Sequence, residues 1–352
     1  MSAFRHVVIV VLENASRDTV LGNEYMRNLR QKGVFLSNSH CVTHPSQPNY
    51  FTMVAGDTMG MVNDHYGWVF WAQTTATVSQ SPDGKKVYPE VTSIVDLLEA
   101  KGLTWKAYAE CFDKTFLPPD GSQPIVSPTP NSFPTILEEM PVPTDKGNFA
   151  RRHVPFLSFP NIVNNKDRVE KIVPAGQLSI DIKNKALPHY CFYTPNLIND
   201  GHSLPSATTP KNPDENCNIN RDMLDAHPIE DTDQLKNIAV FLQNFLGDVP
   251  VKNFPPETLI VITFDESYGA DVPYNIYTLL IGDMLEAGTV RHEPYNHYSL
   301  LRTIEDNFGL GTLGRNDATA TFLRCLVCVL KGKPENQCIL HIHKILFQLV
   351  NT

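Results

Sequence analysis

Acidic, amide and imidazole side chains recur in the sequence directly beside segments that are typical of strands or helices. Three pairs follow apolar, strand-like runs and one histidine precedes a helix-like run; these residues are Glu13, Asn14, Asp200, His202, Asp265, Glu266 and His297. Because the carboxyl ends of parallel strands meet at one edge of a sheet, residues that are distant in sequence can converge there. For any one pair taken alone, a solvated loop or a plain turn is the competing interpretation.

Several carboxylates and imidazoles cannot share one buried place uncompensated, because like charges repel and each is costly to remove from water. Divalent metal ions remove this conflict. Oxygen and nitrogen ligands without a thiolate suit Zn²⁺, Mn²⁺, Mg²⁺ or Ca²⁺. The pattern therefore predicts a site for one or two divalent ions, and the sequence leaves the identity of the metal open.

A serine lies at a predicted helix start. Residues 46–55 have helical spacing of apolar side chains, with Pro48 in the first turn and Gly56 as the stop, and Ser46 is predicted to be the N-cap. An ordinary capping serine is the alternative. The free N–H groups and positive field of a helix start also suit a hydroxyl that must carry phosphate. Metal ions beside that hydroxyl would make it a nucleophile, which is the chemistry of phosphoryl transfer to serine.

Three potential cations follow a proline-rich stretch. Residues 117–143 contain eight prolines and are predicted to form a lid or a pocket wall. Arg151, Arg152 and His153 come next. An exposed basic cluster is the competing interpretation, since such clusters are common on protein surfaces.

Strand-like and helix-like segments alternate along most of the chain. The predicted strands are residues 5–12, 34–37, 105–109, 189–194, 258–264 and 277–281. The predicted helices are residues 23–32, 46–55, 93–101, 231–247 and a last helix that follows residues 295–298 and runs through Arg302 to Phe308. This alternation predicts an α/β fold with a mostly parallel sheet and helices on both faces. We expect one domain over residues 1–317, lid-like insertions over 65–150, and an atypical C-terminal tail over 318–352.

Composition limits the class of protein. The chain has 352 residues, of which 42% are hydrophobic and 19% charged, with a net charge of −9. That charge argues against a nucleic-acid partner. No segment has the apolar length of a transmembrane helix, and no signal peptide precedes the first strand. We therefore expect either an intracellular protein or a secreted one whose leader has been trimmed; the oligomeric state is left open.

Several motifs, in this order along residues 5–317, resemble the phosphoesterase family of fungal and bacterial acid phosphatases and bacterial phospholipases C. They are Glu13-Asn14, HPSQPNY at 44–50, RRHVPF at 151–156, TPNLINDGHS at 194–203, ITFDES at 262–267 and YNHYSLLRTIEDNFGL at 295–310. The resemblance implies an alkaline-phosphatase-like core and a metal-dependent mechanism through a phosphoserine.

The resemblance also implies roles for individual residues. Ser46 would be the nucleophile, and Asn63 and His153 would bind the phosphate group. Arg152, in the basic cluster beside His153, is the further candidate for binding phosphate. The metal that activates the serine would be held by Glu13, Asp265 and Glu266, with Asn14 beside them. A second metal or phosphate subsite would be formed by Asp200, His202 and His297.

The sequence thus predicts a metal-dependent hydrolase of small phosphate esters, most simply a phosphomonoesterase of the acid phosphatase type. One alternative is a phosphodiesterase of the phospholipase C type, with the same nucleophile and metals but another pocket wall. The other alternative is a catalytically silent binding protein on the same fold. It is disfavoured because the nucleophile and the acidic ligands are all present.

Overall fold

The computed structural model describes residues 2–64, 79–80, 86–87, 91–113, 148–163, 165–202, 232–268 and 274–323. Most of the predicted lid-like insertion and most of the C-terminal tail lie outside these residues, so the predicted domain boundaries stay predictions. No helix among the described residues is both long enough and apolar enough to cross a membrane. Of the cysteines in the described ranges, Cys41 and Cys191 are free thiols and Cys111 is disulfide-bonded.

A central sheet of eight strands organises the described residues. Its strands are β1 His6–Leu12, β2 Val34–Leu36, β6 Trp105–Ala109, β7 Ile172–Pro174, β8 Tyr190–Thr194, β9 Thr258–Phe264, β11 Thr278–Ile281 and β12 Thr289–Arg291. Across the sheet they are arranged in the order β12-β2-β11-β9-β1-β8-β6-β7. A smaller sheet contains β3 Ser39–His40, β10 Asn275–Ile276 and β13 Tyr295–Asn296, and a two-stranded sheet contains β4 Ser79–Gln80 and β5 Lys86–Val87.

Strand β1 lies at the centre of the main sheet. It pairs in parallel with β8 on one side, where Val7 faces Tyr190, and with β9 on the other, where Leu12 faces Phe264. Its residues 7–12 are fully buried and alternate between two hydrophobic clusters, one on each face of the sheet. A nearly continuous apolar run is what a strand covered on both faces requires. The α/β fold with a mostly parallel sheet is therefore confirmed.

Helices cover the sheet on both faces. Their bounds are α1 Arg17–Gly22, α2 Glu24–Leu29, α3 Ser46–Ala55, α4 Ile94–Ala100, α5 Pro160–Val163, α6 Lys166–Val169, α7 Gln177–Lys183, α8 Thr232–Leu246, α9 Pro250–Asn253 and α10 His297–Phe308. Helices α3 and α10 pack against each other. Both end at a glycine in the left-handed conformation, Gly56 with φ 70° and Gly309 with φ 63°, which favours a residue without a Cβ.

The structure corrects several sequence-based element assignments. The predicted helix over 23–32 begins one residue later, because Asn23 is its N-cap and accepts the amide of Met26. Its last turn is a 3₁₀ helix over Arg30–Lys32. Strand β11 runs antiparallel to both of its neighbours. Strands β7 and β12 were not predicted, since Pro174 ends the apolar run of β7 and β12 has a single apolar residue, Val290.

Candidate active site

Ser46 is the first residue of α3, and Pro45 takes the N-cap position that we had expected for the serine. The hydroxyl does not cap the helix. Its Oγ lies 3.0 Å from Glu13 Oε2 and 3.1 Å from Glu266 Oε1. A hydroxyl has one proton, so it donates to one of these oxygens at a time. The serine is 1% exposed, and its hydroxyl lies between the carboxylates that follow β1 and β9.

Asn49 holds the segment that leads into α3. Its Oδ1 accepts the amides of Val42 and Thr43 at 3.0 and 3.1 Å. Its Nδ2 donates to the carbonyls of Thr43 at 2.7 Å and Pro45 at 3.2 Å. A fully buried side chain with four backbone partners fixes this loop, and with it the position of the serine. No role was predicted for Asn49 from the sequence, although it belongs to the motif at 44–50.

Two other residues of this motif contact the carboxylates. The Tyr50 hydroxyl donates to Glu13 Oε1 at 2.7 Å, and His44 Nδ1 lies 2.5 Å from Glu266 Oε2. Neither role was predicted from the sequence. The only signal for them is that both residues belong to a motif that resembles one family.

The first turn of α3 receives its cap from a distant carboxylate. Asp64 Oδ1 accepts the amide of Gln47 at 2.9 Å. Burial raises the pKa of Asp64, and the charge of Glu13 adds to this effect. Asp64 lies next to the predicted phosphate ligand Asn63, whose side chain is exposed. Asp64 is thus a site residue that was not predicted from the sequence.

Glu13 is the centre of the polar cluster. His153 Nε2 lies 3.2 Å from its Oε1, and His202 Nδ1 lies 3.2 Å from its Oε2. Asn14 has the left-handed φ of 51° that asparagine tolerates. Its Nδ2 lies 3.3 Å from Glu13 Oε2 and 3.1 Å from His202 Nδ1. The structure thus brings His153 and His202 to the same carboxylate.

His153 also bridges to the loop after β8, where its Nδ1 lies 3.3 Å from Asp200 Oδ2. The imidazole is fully buried and stacks on Tyr50 with the ring centroids 5.1 Å apart. Gly201 lets this loop approach α8 closely, because a Cβ at that position would lie 2.4 Å from Ile238 Cδ1. The exposed basic cluster is excluded for His153 and also for Arg151, which is 1% exposed.

Asp265 and His297 lie together on the other side of the cluster. Asp265 Oδ1 accepts the amide of Asn14 at 3.2 Å, and the carbonyl of Asp265 accepts from His297 Nε2 at 2.6 Å. The family resemblance implies a subsite that His297 shares with Asp200 and His202. In the structure its hydrogen bond is to Asp265, and burial lowers the pKa of the imidazole to about 4.

Burial dominates the electrostatics of the cluster. It raises the pKa of Asp200 and of Asp265 well above the ordinary range, with the charge of Glu13 as the next cause, and it also raises the pKa of Glu266. For Glu13 itself, burial is opposed by His153, His202 and the Tyr50 hydroxyl, which together bring its pKa down to about 2. For three of the four carboxyl groups, the protein therefore supplies too little positive charge to offset the cost of burying the ionised form.

This donor set fits a divalent metal ion. Glu13, His153 and His202 each offer a ligand atom, and these atoms lie within 4.8 Å of one another. Among the described residues, Asp265 Oδ2 is buried without a hydrogen-bond partner. An orphaned buried carboxylate oxygen is costly unless a cation faces it. Arg152 lies at the edge of this group, with Nη2 3.4 Å from His202 Nε2.

Several known proteins that are similar to this chain in sequence have phosphatase names. A "Probable acid phosphatase" of Kluyveromyces lactis is 29% identical over 92% of this chain and 62% of its own length. An "Acid phosphatase" of Aspergillus fumigatus is 29% identical over 91% of this chain and 58% of its own. A "Phosphatidylinositol-3-phosphatase" of Mycobacterium tuberculosis is 26% identical over 89% of this chain and 80% of its own. The chain thus spans about three fifths of the length of these fungal relatives.

Two solved structures are similar to this chain at low sequence identity. A Bacteroides thetaiotaomicron protein from a locus for the metabolism of multiple glycosaminoglycans is 8% identical with a TM-score of 0.51, over 92% of this chain and 82% of that one. A protein in the alkaline phosphatase superfamily from Vibrio parahaemolyticus is 13% identical with a TM-score of 0.45, over 92% of this chain and 72% of that one. A model of the phosphoesterase family matches residues 23–311, and the chain belongs to that family.

Proposed function

We propose that the protein is a metal-dependent phosphomonoesterase of the acid phosphatase type that acts through a phosphoserine at Ser46. One observation carries the proposal: the hydroxyl of Ser46 lies within 3.1 Å of two buried carboxylates at the carboxyl edge of a parallel sheet. Membership in the phosphoesterase family and relatives named acid phosphatases support it.

In the proposed reaction, Ser46 Oγ attacks the phosphorus atom of the ester. A bond forms between Oγ and phosphorus while the bond from phosphorus to the alcohol oxygen breaks. The serine proton passes to Glu266, whose Oε1 lies 3.1 Å from Oγ and whose pKa is raised by burial, and the released alcohol takes up a proton. Water then attacks the phosphoserine, which releases phosphate and restores the hydroxyl.

Glu13, Asp265 and Glu266 would hold a metal ion next to the serine, and His202 and His153 would complete the ligands or contact phosphate. When bound, such an ion lowers the pKa of the hydroxyl and screens the charge of the phosphate group. The protein's own part is positioning. Asn49 fixes the loop before α3, Tyr50 orients Glu13, and Arg152 adds a positive charge at the edge of the site.

The test is hydrolysis of p-nitrophenyl phosphate by the purified chain, first as isolated, then after chelation, and then after separate addition of Zn²⁺, Mn²⁺, Mg²⁺ or Ca²⁺. We expect turnover to disappear with the chelator and to return with at least one ion. Turnover that is unchanged by the chelator would contradict the metal requirement. A lack of turnover with every ion would favour the binding-protein alternative.

A further inference from the structure

His44 contacts the carboxylate that accepts from the nucleophile. Its Nδ1 lies 2.5 Å from Glu266 Oε2, while the other oxygen of the same carboxylate lies 3.1 Å from Ser46 Oγ. Each oxygen of Glu266 therefore has its own partner. His44 and Ser46 are separated by Pro45 alone, so one short segment carries both the nucleophile and a group that contacts its acceptor.

The surroundings of His44 restrict its movement. The imidazole packs edge-on against Tyr274, with ring centroids 4.9 Å apart. The loop around it is held by the four hydrogen bonds of Asn49. When Glu266 is ionised it can only accept, and Nδ1 is then the donor of this hydrogen bond. The side chain of Glu266 is 6% exposed and that of His44 is 27% exposed, so the bond is partly shielded from water.

We propose that His44 is a positioning residue, which holds Glu266 with one oxygen turned toward Ser46. This inference rests on the proposed function. Without the hydrogen bond to Nδ1, Glu266 can rotate about its side-chain torsions, and its Oε1 leaves the place where it meets the serine hydroxyl. Partners that orient a metal-site carboxylate change affinity or activity by roughly 10- to 100-fold when they are removed.

Three variants at this position separate positioning from packing. His44→Ala removes the donor. His44→Asn carries an amide nitrogen the same number of bonds from the backbone as Nδ1, so it can still donate to Glu266. His44→Gln carries its amide nitrogen one bond farther away. His40→Ala is the matched control, since His40 lies four residues earlier, in β3, and is not part of the site.

We measure kcat and KM for p-nitrophenyl phosphate at saturating metal. For His44→Ala we expect kcat to fall roughly 10- to 100-fold, with KM within about twofold of the wild type because the lost contact serves the chemical step and not substrate binding. His44→Asn should recover most of the lost kcat, His44→Gln little of it, and His40→Ala should match the wild type.

Two results would overturn the role of His44: a wild-type kcat in His44→Ala, or equal kcat values in the Asn and Gln variants. The Asn and Gln pair keeps the test decisive even if the alanine variant folds poorly. A failure of the proposed function is recognised separately, because the wild-type protein would then show no turnover.

Discussion

At the scale of single residues, the site is an arrangement in which no polar group acts alone. Glu13 contacts Ser46, Tyr50, His153 and His202, so its carboxylate links the helix start to the 3₁₀ helix at Arg151–His153 and to the loop after β8. Its low pKa follows from these partners and not from exposure. The loss of any one contact should therefore alter the hydrogen bond between Glu13 and the serine hydroxyl.

The first prediction concerns the nucleophile. Ser46→Ala should abolish nearly all turnover and leave the melting temperature nearly unchanged, because the hydroxyl makes no cap and little packing is lost with one oxygen. Uncatalysed monoester hydrolysis needs accelerations of up to ~10²¹, so a lost covalent route cannot be masked. The measurement is kcat for p-nitrophenyl phosphate, together with an acid quench that traps phosphoserine in the wild type. More than a few per cent of wild-type activity in the variant would contradict the assignment.

The second prediction concerns metal binding. Asp265→Asn should lower metal content and kcat together, because it removes the charge of a carboxylate whose Oδ2 is buried without a partner among the described residues. Elemental analysis after dialysis against dilute metal is the measurement. Asp18→Asn is the control, since that carboxylate is 78% exposed and remote from the cluster. Full metal occupancy in the Asp265 variant would show that this residue is not a ligand.

The strand-end residues of the site could be predicted from the sequence, whereas the residues that support them could not. Glu13 and Asp265 each end an apolar run, and parallel strand ends must meet at one edge. His153 contacts Asp200 through a fold that no local pattern encodes, since it follows a long segment without periodicity. Asp64 caps a helix 17 residues away in sequence. Such contacts depend on the tertiary structure alone.

At the scale of elements, long apolar patterns were reliable and short ones were not. The predicted bounds of β6 and β9 agree with the structure, and α8 differs from its prediction by one residue at each end. Both strands lie inside the sheet, β9 beside the central strand β1 and β6 between β8 and β7, and α8 covers one face of the sheet. The antiparallel direction of β11 was not predictable, since an apolar strand looks the same in either direction.

The packed pair of α3 and α10 has a second polar region at its far end. Glu305 in α10 is fully buried, and so is Asp317, whose carboxylate accepts the amides of Leu313 and Arg315. Burial, followed by the charge of Asp317, raises the pKa of Glu305 from 4.5 to about 8. Arg302 opposes this shift and Asp306 adds to it.

The third prediction is therefore a stability that depends on pH. The unfolded chain ionises Glu305 near its ordinary value, and the folded chain only near pH 8. The stabilisation from this group is complete below the unfolded pKa and is lost as the pH rises toward the folded pKa. The glutamine of Glu305→Gln is neutral at every pH. The melting temperature of this variant should therefore rise relative to that of the wild type as the pH is raised from about 5 to about 8.

Thermal unfolding of both proteins at pH 5, 6.5, 8 and 9 measures this gap. Comparing the two proteins cancels the titration of the active-site groups, which they share. Glu286→Gln, at an exposed glutamate, is the control and should follow the wild-type curve. Parallel curves for Glu305→Gln and the wild type would show that Glu305 is already ionised in the folded protein at pH 5.

At the scale of the whole molecule, charge and exposed apolar surface favour different substrates. The chain has a net charge of −9, and its buried carboxylates add to the negative field around the serine. Arg152 lies beside His202 at the edge of this cluster. Apolar side chains close in sequence to Asp64 and Glu266 include Val62, 78% exposed, and Tyr268, 43% exposed. A dianionic monoester benefits from the positive charge of Arg152 and of metal ions, which offset this negative field, and a diester's second organic arm benefits from the apolar surface.

The last prediction is that monoesters are the better substrates. Near neutral pH a monoester is dianionic and offers three terminal oxygens, so it gains most from metal ions and from Arg152. A diester carries one charge and gains less from both. The measurement is kcat/KM for p-nitrophenyl phosphate, bis-p-nitrophenyl phosphate and phosphatidylcholine in one metal buffer. Arg152→Ala should lower the monoester value more than either diester value, and Arg27→Ala, at an exposed arginine outside the site, should change none of them. If a diester is hydrolysed more efficiently than the monoester, the phosphodiesterase alternative is correct and the charge of Arg152 does not select the substrate.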